Sequence, residues 1–158
     1  DGWLQAWQAA NGVLTSELPR LRPVSFVAKV RDSMVDADYV QAFLQTSRMY
    51  LVDARSPDRF RGENETIDPV GGHIPGAVNR FFRENLQADG RFKPAAALRT
   101  EWLAVLAGAS PEQVVHQCGS GVSACHNMLA MEIAGLPGSR LYAGSWSEWC
   151  ADCGRPVA

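Results

Sequence analysis

The sequence predicts an α/β domain built on a largely parallel β-sheet. Tyr50–Val52 is a continuous apolar run of the kind found in parallel strands that are covered on both faces, and Val114–Gln117 is predicted to be a second buried strand. Segments with apolar residues at helical spacing separate the strands, as in α/β folds. A chain of 158 residues with 46% hydrophobic and 20% charged residues has the composition of a folded domain, which excludes disordered and fibrous proteins.

Charge and hydropathy exclude two classes of partner. The longest uninterrupted apolar stretch, Trp102–Ala109, has eight residues, whereas a helix needs about 18 or more to cross a bilayer, so no membrane span is expected. The net charge is −2 and no Lys/Arg-rich run occurs, so nucleic acids are not expected partners. The four cysteines are too few and too close to the end of the chain for a disulfide framework, which indicates a reducing, cytoplasmic compartment.

The first part of the chain is predicted to precede the main domain. Residues 15–23 contain two prolines and several charges and are predicted to form a linker, while the β-rich run Val24–Val27 predicts a first strand. The chain begins at Asp1 without a methionine or an apolar leader, so we expect a fragment or a processed product.

Turn signals and hydrophobic periodicity predict four further strands and four helices. In chain order these are a helix over 36–45, a strand at 50–53, a strand at 77–79, a helix over 94–107, a strand at 114–117, a helix over 124–134, a strand at 141–142 and a helix over 146–149. The helix boundaries rest on Asp36 as an N-cap, on Pro94 in a first turn and on Gly135 after a last turn. The side chains predicted to face the core are Val40, Phe43 and Leu44 in the first of these helices, and Leu98, Trp102, Leu103 and Leu106 in the second.

Two segments are candidates for function. The predicted loop over 55–75 is rich in charge, glycine and proline, and loops of this length in small domains are commonly functional. Cys118 follows a buried strand directly and precedes a predicted helix, with Gly119 and Gly121 beside it. Glycines allow such a turn to curl so that backbone N–H groups and the helix dipole converge on an anion. A thiolate at Cys118 would be stabilised there and would be a nucleophile near neutral pH.

Several motifs of the chain resemble those of the rhodanese sulfurtransferases. The similarity extends from about Phe26 to the C-terminus. The motifs are Asp53-Ala54-Arg55, Arg59-Phe60, Gly72-His73-Ile74-Pro75-Gly76-Ala77, Cys118-Gly119-Ser120-Gly121-Val122-Ser123-Ala124 and Gly144-Ser145-Trp146-Ser147-Glu148-Trp149.

The resemblance implies a rhodanese-like fold, with helices on both faces of a mainly parallel sheet, and a metal-free reaction without a cofactor. Cys118 would carry sulfur as a persulfide, held by the loop of Gly119, Gly121, Val122 and Ser123. The sulfur would come from a small anionic donor and pass to a thiol or to cyanide, with thioredoxin as one candidate acceptor. The loop resembles the branch that uses 3-mercaptopyruvate, since thiosulfate-preferring members tend to have basic residues directly after the cysteine. Ser123 stands where threonine is more usual.

The anionic donor requires a cation beside the cysteine. Arg59 matches the substrate-binding arginine of the family in position, and Arg55 is the second candidate, although its place directly after Asp53 favours a structural ion pair. The mercaptopyruvate enzymes have a further arginine downstream, and Glu65–Asp68 contains none. Ser120 is predicted either to assist proton transfer at the leaving thiol or to close the loop with its hydroxyl group.

The remaining histidines and cysteines are expected to have structural roles. His73, His116 and His126 are predicted to be hydrogen-bonded or packed, and Cys125 to be a packing residue, with a resolving thiol as the alternative. The pair Cys150 and Cys153 has the C-x-x-C spacing but no second ligand pair, so a surface thiol pair is favoured over zinc.

Two rival functions and one domain arrangement remain to be tested. A cysteine phosphatase needs an arginine six residues after its nucleophile, where this chain has Ala124, and a non-catalytic rhodanese-like binding module would not need the nucleophile and its loop. Gly2 and Trp7 repeat the spacing of Gly144 and Trp149, which close the domain. Residues 1–23 are therefore predicted to be the tail of a preceding N-terminal rhodanese domain of the same chain plus a linker, and residues 24–158 the catalytic domain.

Overall fold

Five short strands and six helices make up the domain. The computed structural model describes residues 3–158, except for the side chain of Trp3. The elements are α1 Trp3–Ala9, β1 Met34–Val35, α2 Ala37–Ala42, β2 Tyr50–Asp53, α3 Pro57–Phe60, β3 Val78–Asn79, α4 Ala95–Leu106, β4 Val114–Gln117, α5 Val122–Ile133, β5 Arg140–Tyr142 and α6 Ser145–Ala151, with 3₁₀ turns at Phe82–Asn85 and Pro111–Gln113.

The strands form one sheet in the order β1-β5-β4-β2-β3, and every adjacent pair is parallel. The central pair, β2 and β4, is in register from Tyr50 opposite Val114 to Asp53 opposite Gln117. The predicted parallel α/β architecture is confirmed. Parallel strands bring their carboxyl ends to one edge of the sheet, so the residues that follow β2, β3 and β4 lie together there.

Helices cover both faces of the sheet because successive strand side chains point to opposite sides. Leu51 of β2 packs in one apolar cluster with α2 and α6, whereas its neighbour Val52 packs in a second cluster with α4 and α5. Trp146 and Trp149 lie in the first cluster and Trp102 in the second, and all three are fully buried. The rigid strands that support the loops are therefore enclosed on both sides.

Most predicted boundaries agree with the structure, and the differences have local causes. Asp36 caps α2, accepting a hydrogen bond of 2.8 Å from the backbone N–H of Tyr39, but the helix ends at Ala42, before Gln45, whose φ is +55°. α5 begins two residues earlier than predicted, directly after Gly121. Leu103 is 48% exposed, so its assignment to the buried face of α4 was wrong.

The predicted first strand does not form. Val24 and Val27 are each 85% exposed, and residues 12–33 contain no helix or strand. The edge strand on this side of the sheet is β1, which pairs with β5 through Met34 and Val35. β propensity alone does not make a strand when no neighbouring strand accepts its hydrogen bonds.

The significance of the N-terminal repeat stays a prediction, whereas the long loop contains structure that was not predicted. Gly2 lies outside the described residues, and Trp7 is 54% exposed whereas Trp149 is fully buried. The loop over 55–75 contains the short helix α3, and its end is fixed by the C-terminus, because His73 and Ala158 exchange two backbone hydrogen bonds of 2.9 and 3.0 Å. Among the described helices, none combines the length and apolar character that a membrane span requires.

Candidate active site

Cys118 lies where β4 ends, at the carboxyl edge of the sheet. Its residue is 2% exposed, its thiol is free, and it packs against Ala54 and Ala124. Ala124 occupies the place where a phosphatase would carry its arginine, and it is fully buried beneath the cysteine. Cys118, the nucleophile predicted from the sequence, thus lies at the predicted strand-to-helix turn. At position 124 the chain has no guanidinium group that could bind phosphate.

The first turn of α6 holds the cysteine loop from one side. The backbone N–H of Cys118 donates to Ser145 Oγ (3.1 Å), and that hydroxyl donates to the carbonyl of Tyr142 (2.9 Å). The N–H groups of Trp146 and Ser147 donate to the carbonyls of Cys118 and Gly119, both at 3.0 Å. Sequence reasoning missed Ser145, and its only signal was its place in the Gly144–Trp149 motif.

These hydrogen bonds set the direction of the loop amides. In a trans peptide the C=O and the following N–H point in opposite directions, and no cis peptide occurs among the described residues. With the carbonyls of Cys118 and Gly119 turned toward α6, the N–H groups of Gly119 and Ser120 point away from that helix. Within the described chain, no backbone acceptor binds the N–H groups of residues 119–123. Several donors are therefore available for an anion beside the thiol.

Gly121 makes the turn into α5 possible. Its φ is +82°, and a Cβ placed on it would lie 2.7 Å from the carbonyl oxygen of Ala143. A side chain would thus meet both backbone strain and a backbone clash. The cysteine loop can approach the β5–α6 connection this closely only with glycine at this position.

A cavity of about 380 Å³ opens beside the cysteine. Its lining contains Cys118, Gly119, Ser120, Val122 and Ser123 from the loop and the start of α5, and no residue of α6. The remaining lining residues are Ala54, Arg55, Ser56, Arg59, Phe81, Phe82 and Arg83. All predicted site residues except Gly121 therefore line this cavity, and the structure adds the segment 81–83, which the sequence did not indicate. A larger cavity of about 680 Å³ near β1 contains no cysteine and lies apart from this chemistry.

Arg59 reaches the cysteine loop with one edge of its guanidinium group. A Cβ on Gly119 would lie 3.6 Å from Arg59 Nη1, which places this nitrogen against the loop. Its Nε and Nη2 atoms donate to Glu65 at 2.8–3.1 Å, and Nη2 also donates to Asp68 at 3.3 Å. Glu65 and Asp68 therefore hold the side of the guanidinium group that lies away from the loop, while Nη1 donates to no carboxylate of residues 3–158 and belongs to a residue that lines the cavity.

Arg55 is held more tightly than Arg59. Its side chain is 1% exposed, it donates to both carboxylate oxygens of Asp53 (2.7–3.2 Å) and to the carbonyl of Gly72 (2.8 Å), and it stacks over the ring of Trp146 at 4.8 Å. Its Nη1 lies 3.6 Å from Glu65 and makes no hydrogen bond. These contacts favour the structural ion pair over direct donor binding for Arg55.

Glu65 links the two arginines and is the main residue of the long loop that sequence reasoning missed. Its side chain is 4% exposed. Burial acts to raise the pKa of Glu65. Hydrogen bonds from Arg59 and from the backbone N–H groups of Asp68 and Ile67 act to lower it and together outweigh burial, so the net shift is downward. Glu65 is therefore an ionised, buried anchor. The only signal in the sequence was the concentration of charge in this loop.

Ser120 lies exposed at the mouth of the cavity. Its hydroxyl makes no hydrogen bond to the described part of the chain, which favours a role toward the donor over loop closure.

The other histidines and cysteines lie outside the cavity. His73 Nδ1 donates to the carbonyl oxygen of Phe60 (2.9 Å), and the imidazole stacks on the Phe60 ring, while His126 stacks on Phe92. Burial lowers the pKa of His116 to about 3. Cys125 and Cys153 are exposed, whereas Cys150 is buried and burial raises the pKa of its thiol, so the C-x-x-C is only partly a surface pair. No group of three or more potential metal ligands occurs within residues 3–158.

The chain is similar to several proteins that are named as sulfurtransferases. A Pseudomonas aeruginosa protein named probable 3-mercaptopyruvate sulfurtransferase is 50% identical over 159 residues, covering 100% of this chain and 56% of that protein. The thiosulfate sulfurtransferase of Rattus norvegicus is 35% identical, over 94% of this chain and 51% of that protein. The solved 3-mercaptopyruvate sulfurtransferase from Leishmania major superposes with a TM-score of 0.75 and 30% identity, covering 97% of this chain and 43% of that one. This chain thus spans about half the length of the curated relatives it matches.

The family model described as the rhodanese-like domain matches residues 36–152. This segment contains every residue that lines the cavity beside Cys118 and every helix and strand from α2 to α6. The chain belongs to the rhodanese-like domain family.

Proposed function

We propose that this chain supplies the catalytic cysteine of a sulfurtransferase that moves a sulfur atom from a small anionic donor to a thiol or to cyanide. One observation carries the proposal. The Cys118 thiol is at the base of a cavity, beside unbonded loop amides and the Nη1 edge of Arg59. A persulfide anion and an anionic donor would both find hydrogen-bond donors there.

The proposed first step transfers sulfur to the enzyme. The Cys118 thiolate attacks the sulfur of 3-mercaptopyruvate, an Sγ–S bond forms as the C–S bond breaks, and the thiol proton ends on the methyl carbon of pyruvate. With thiosulfate, the S–S bond of the donor breaks and sulfite leaves. In both cases the product is a Cys118 persulfide anion, and loop amides stabilise its charge.

The second step returns the enzyme to its starting state. An acceptor thiolate or cyanide attacks the outer sulfur of the persulfide, the Sγ–S bond breaks, and the Cys118 thiolate is regenerated. We assign Ser120 to the first step, where its hydroxyl would hydrogen-bond the thiol of the donor or relay its proton; its place in the cavity lining supports this role. No metal or cofactor is required for either step.

The donor assignment favours 3-mercaptopyruvate. Its support is the Cys118–Ser123 loop, which carries no basic residue after the cysteine, and the 50% identity to the Pseudomonas aeruginosa protein. The rat thiosulfate sulfurtransferase is more distant. Steady-state rates with both donors, measured side by side, test this preference.

Persulfide formation tests the function and separates it from its rivals. We expect donor to add the mass of one sulfur atom to the intact protein, and cyanide to remove it. Cys118→Ser must abolish the adduct, whereas Cys125→Ser, which changes an exposed cysteine of the following helix, must keep it. An adduct that survives Cys118→Ser would refute the assignment, and a wild-type protein without any adduct would favour the binding module.

We also propose that residues 1–23 are the tail of a preceding rhodanese domain plus a linker, that residues 24–158 form the catalytic domain, and that the protein works in the cytoplasm. The curated relatives are about twice as long as this chain, and large apolar side chains of the irregular segment, such as Leu18 and Val30, are 92% exposed. Exposed apolar surface of this kind indicates a contact with another surface. The four free thiols support a reducing compartment. We expect a longer protein that includes the upstream domain to turn over faster, and an unchanged rate would contradict the arrangement.

A further inference from the structure

Arg83 is a cation of the cavity that neither the motifs nor the comparisons assign. It lies in the 3₁₀ turn Phe82–Asn85, which is separated from the end of β3 by two residues, at the same edge of the sheet as Cys118. The residue is exposed and contributes to the cavity lining beside the cysteine loop. Its guanidinium carbon lies 5.9 Å from the centre of the Phe82 ring.

Arg83 differs from the other two arginines of the cavity in its ion-pair partners. Arg55 and Arg59 are in ion pairs with Asp53, Glu65 and Asp68, so this network of two cations and three carboxylates has a net charge of −1. Arg83 makes no ion pair with a carboxylate of residues 3–158. An anion that enters the cavity therefore meets one guanidinium whose charge is not already balanced.

The structural alternative for Arg83 is weak. An exposed arginine without an ion pair or a side-chain hydrogen bond contributes little to folding beyond its contact with Phe82. By contrast, Arg80, three residues earlier, is 7% exposed and bonded to Glu84 and Glu101, and it is the arginine that holds this segment in place. Arg83 is thus free to serve a ligand without a cost to the fold.

We propose that Arg83 binds the carboxylate or sulfonate-type group of the sulfur donor at the cavity mouth, as a second cation beside Arg59. This inference rests on the proposed function and names a further donor-binding residue for it. The donor has its reactive sulfur at one end and its charge at the other. Arg59 and the loop amides lie beside Cys118, and Arg83 lines the same cavity from a different segment, so it is suited to hold the charged end while the sulfur reaches the thiolate.

The experiment compares Arg83→Ala with Arg83→Lys and with the control Arg91→Ala. Arg91 is an exposed arginine, 58% exposed in its side chain, that does not line the cavity. KM and kcat with 3-mercaptopyruvate and with thiosulfate are measured at low and high salt, and the rate of persulfide formation is followed by quenched-flow mass spectrometry. The discharge of preformed persulfide to cyanide and thermal unfolding are measured for each variant.

We expect Arg83→Ala to raise the donor KM roughly threefold to tenfold, with kcat nearly unchanged, and the effect to shrink at high salt because exposed charges are screened. Arg83→Lys should recover part of the loss, and Arg91→Ala should behave as wild type. A purely structural residue would lower the melting temperature without this salt dependence.

Three results overturn the inference. If Arg83→Ala loads with sulfur as fast as Arg91→Ala at low salt, Arg83 does not bind the donor. If only discharge to cyanide is slowed, Arg83 serves the acceptor instead. A wild-type protein that forms no persulfide with either donor would overturn the proposed function itself, and this inference with it.

Discussion

Glu65→Gln tests whether the buried carboxylate positions Arg59. The carboxylate is 4% exposed and accepts five hydrogen bonds, three from Arg59 and one each from the backbone of Ile67 and Asp68. Glutamine keeps one acceptor oxygen but turns an NH₂ group toward a guanidinium. Breaking one partner of a buried pair costs about 3–5 kcal/mol, and the 20% exposure of Arg59 and its remaining contact with Asp68 reduce this to roughly 2–4 kcal/mol.

The assay is urea unfolding together with kcat/KM for 3-mercaptopyruvate, with Glu63→Gln as the matched control. Glu63 pairs with Arg61 at 2.8 Å in the same loop, but both side chains are more than half exposed, so its substitution should have no measurable effect. We expect Glu65→Gln to lower kcat/KM on the order of tenfold or more, since Arg59 loses its fixed orientation. Equal stability and activity of the two variants would refute the idea that Glu65 positions Arg59.

The other predictions concern the cysteine loop, the buried His116 and the proposed donor-binding residue Arg59. Gly121→Ala should destabilise the fold by about 2–4 kcal/mol and slow persulfide formation, whereas Gly90→Ala, at φ +80° with open space around it, should cost only about 1 kcal/mol in the same urea titration. Burial lowers the pKa of His116 to about 3. Between pH 6.5 and pH 3 the proton therefore binds His116 only in the unfolded state, and the free energy of unfolding decreases as the pH is lowered. About 2 kcal/mol should be lost from pH 6.5 to pH 5, and His116→Gln should flatten this part of the curve. Arg59→Ala should lower kcat/KM roughly tenfold to a hundredfold, with partial recovery in Arg59→Lys; an unchanged value would contradict donor binding.

The central elements of the fold were predictable because their signals are local. β2 and β4 are buried and each begins with a short apolar run, Tyr50–Val52 and Val114–Val115, and the Asp36 cap of α2 lies next to the helix it starts. The edge strand was not predictable in the same way. β1 forms because Met34 and Val35 meet β5, more than 100 residues later, whereas the stronger β propensity of Val24–Val27 finds no partner.

The same contrast between local and non-local signals explains which residues of the candidate site were predicted. The position of Cys118 and the turn at Gly121 follow from residues adjacent in sequence, and both were predicted. Ser145 and Arg83 lie far from Cys118 along the chain, and Glu65 meets Arg59 within an irregular loop, so none of the three polar side chains carried a distinguishing pattern. A short helix, α3, also lay hidden within the charged loop, because four residues are too few for a periodic signal.

The charge arrangement suits a site that must bind one anion and release another. An Arg59 without its carboxylate partners would attract the donor, but from its place against the cysteine loop it would hold the departing pyruvate or sulfite as well, and binding both equally does not accelerate the reaction. Here Glu65 and Asp68 balance Arg59 on the side away from the loop, while the amides of residues 119–123 present fixed dipoles on the side of the thiol. Fixed dipoles need no rearrangement as negative charge builds on the sulfur, so they favour the persulfide anion over a loosely bound product. On this basis the buried carboxylates of the long loop are as necessary to the proposed chemistry as the arginine they hold.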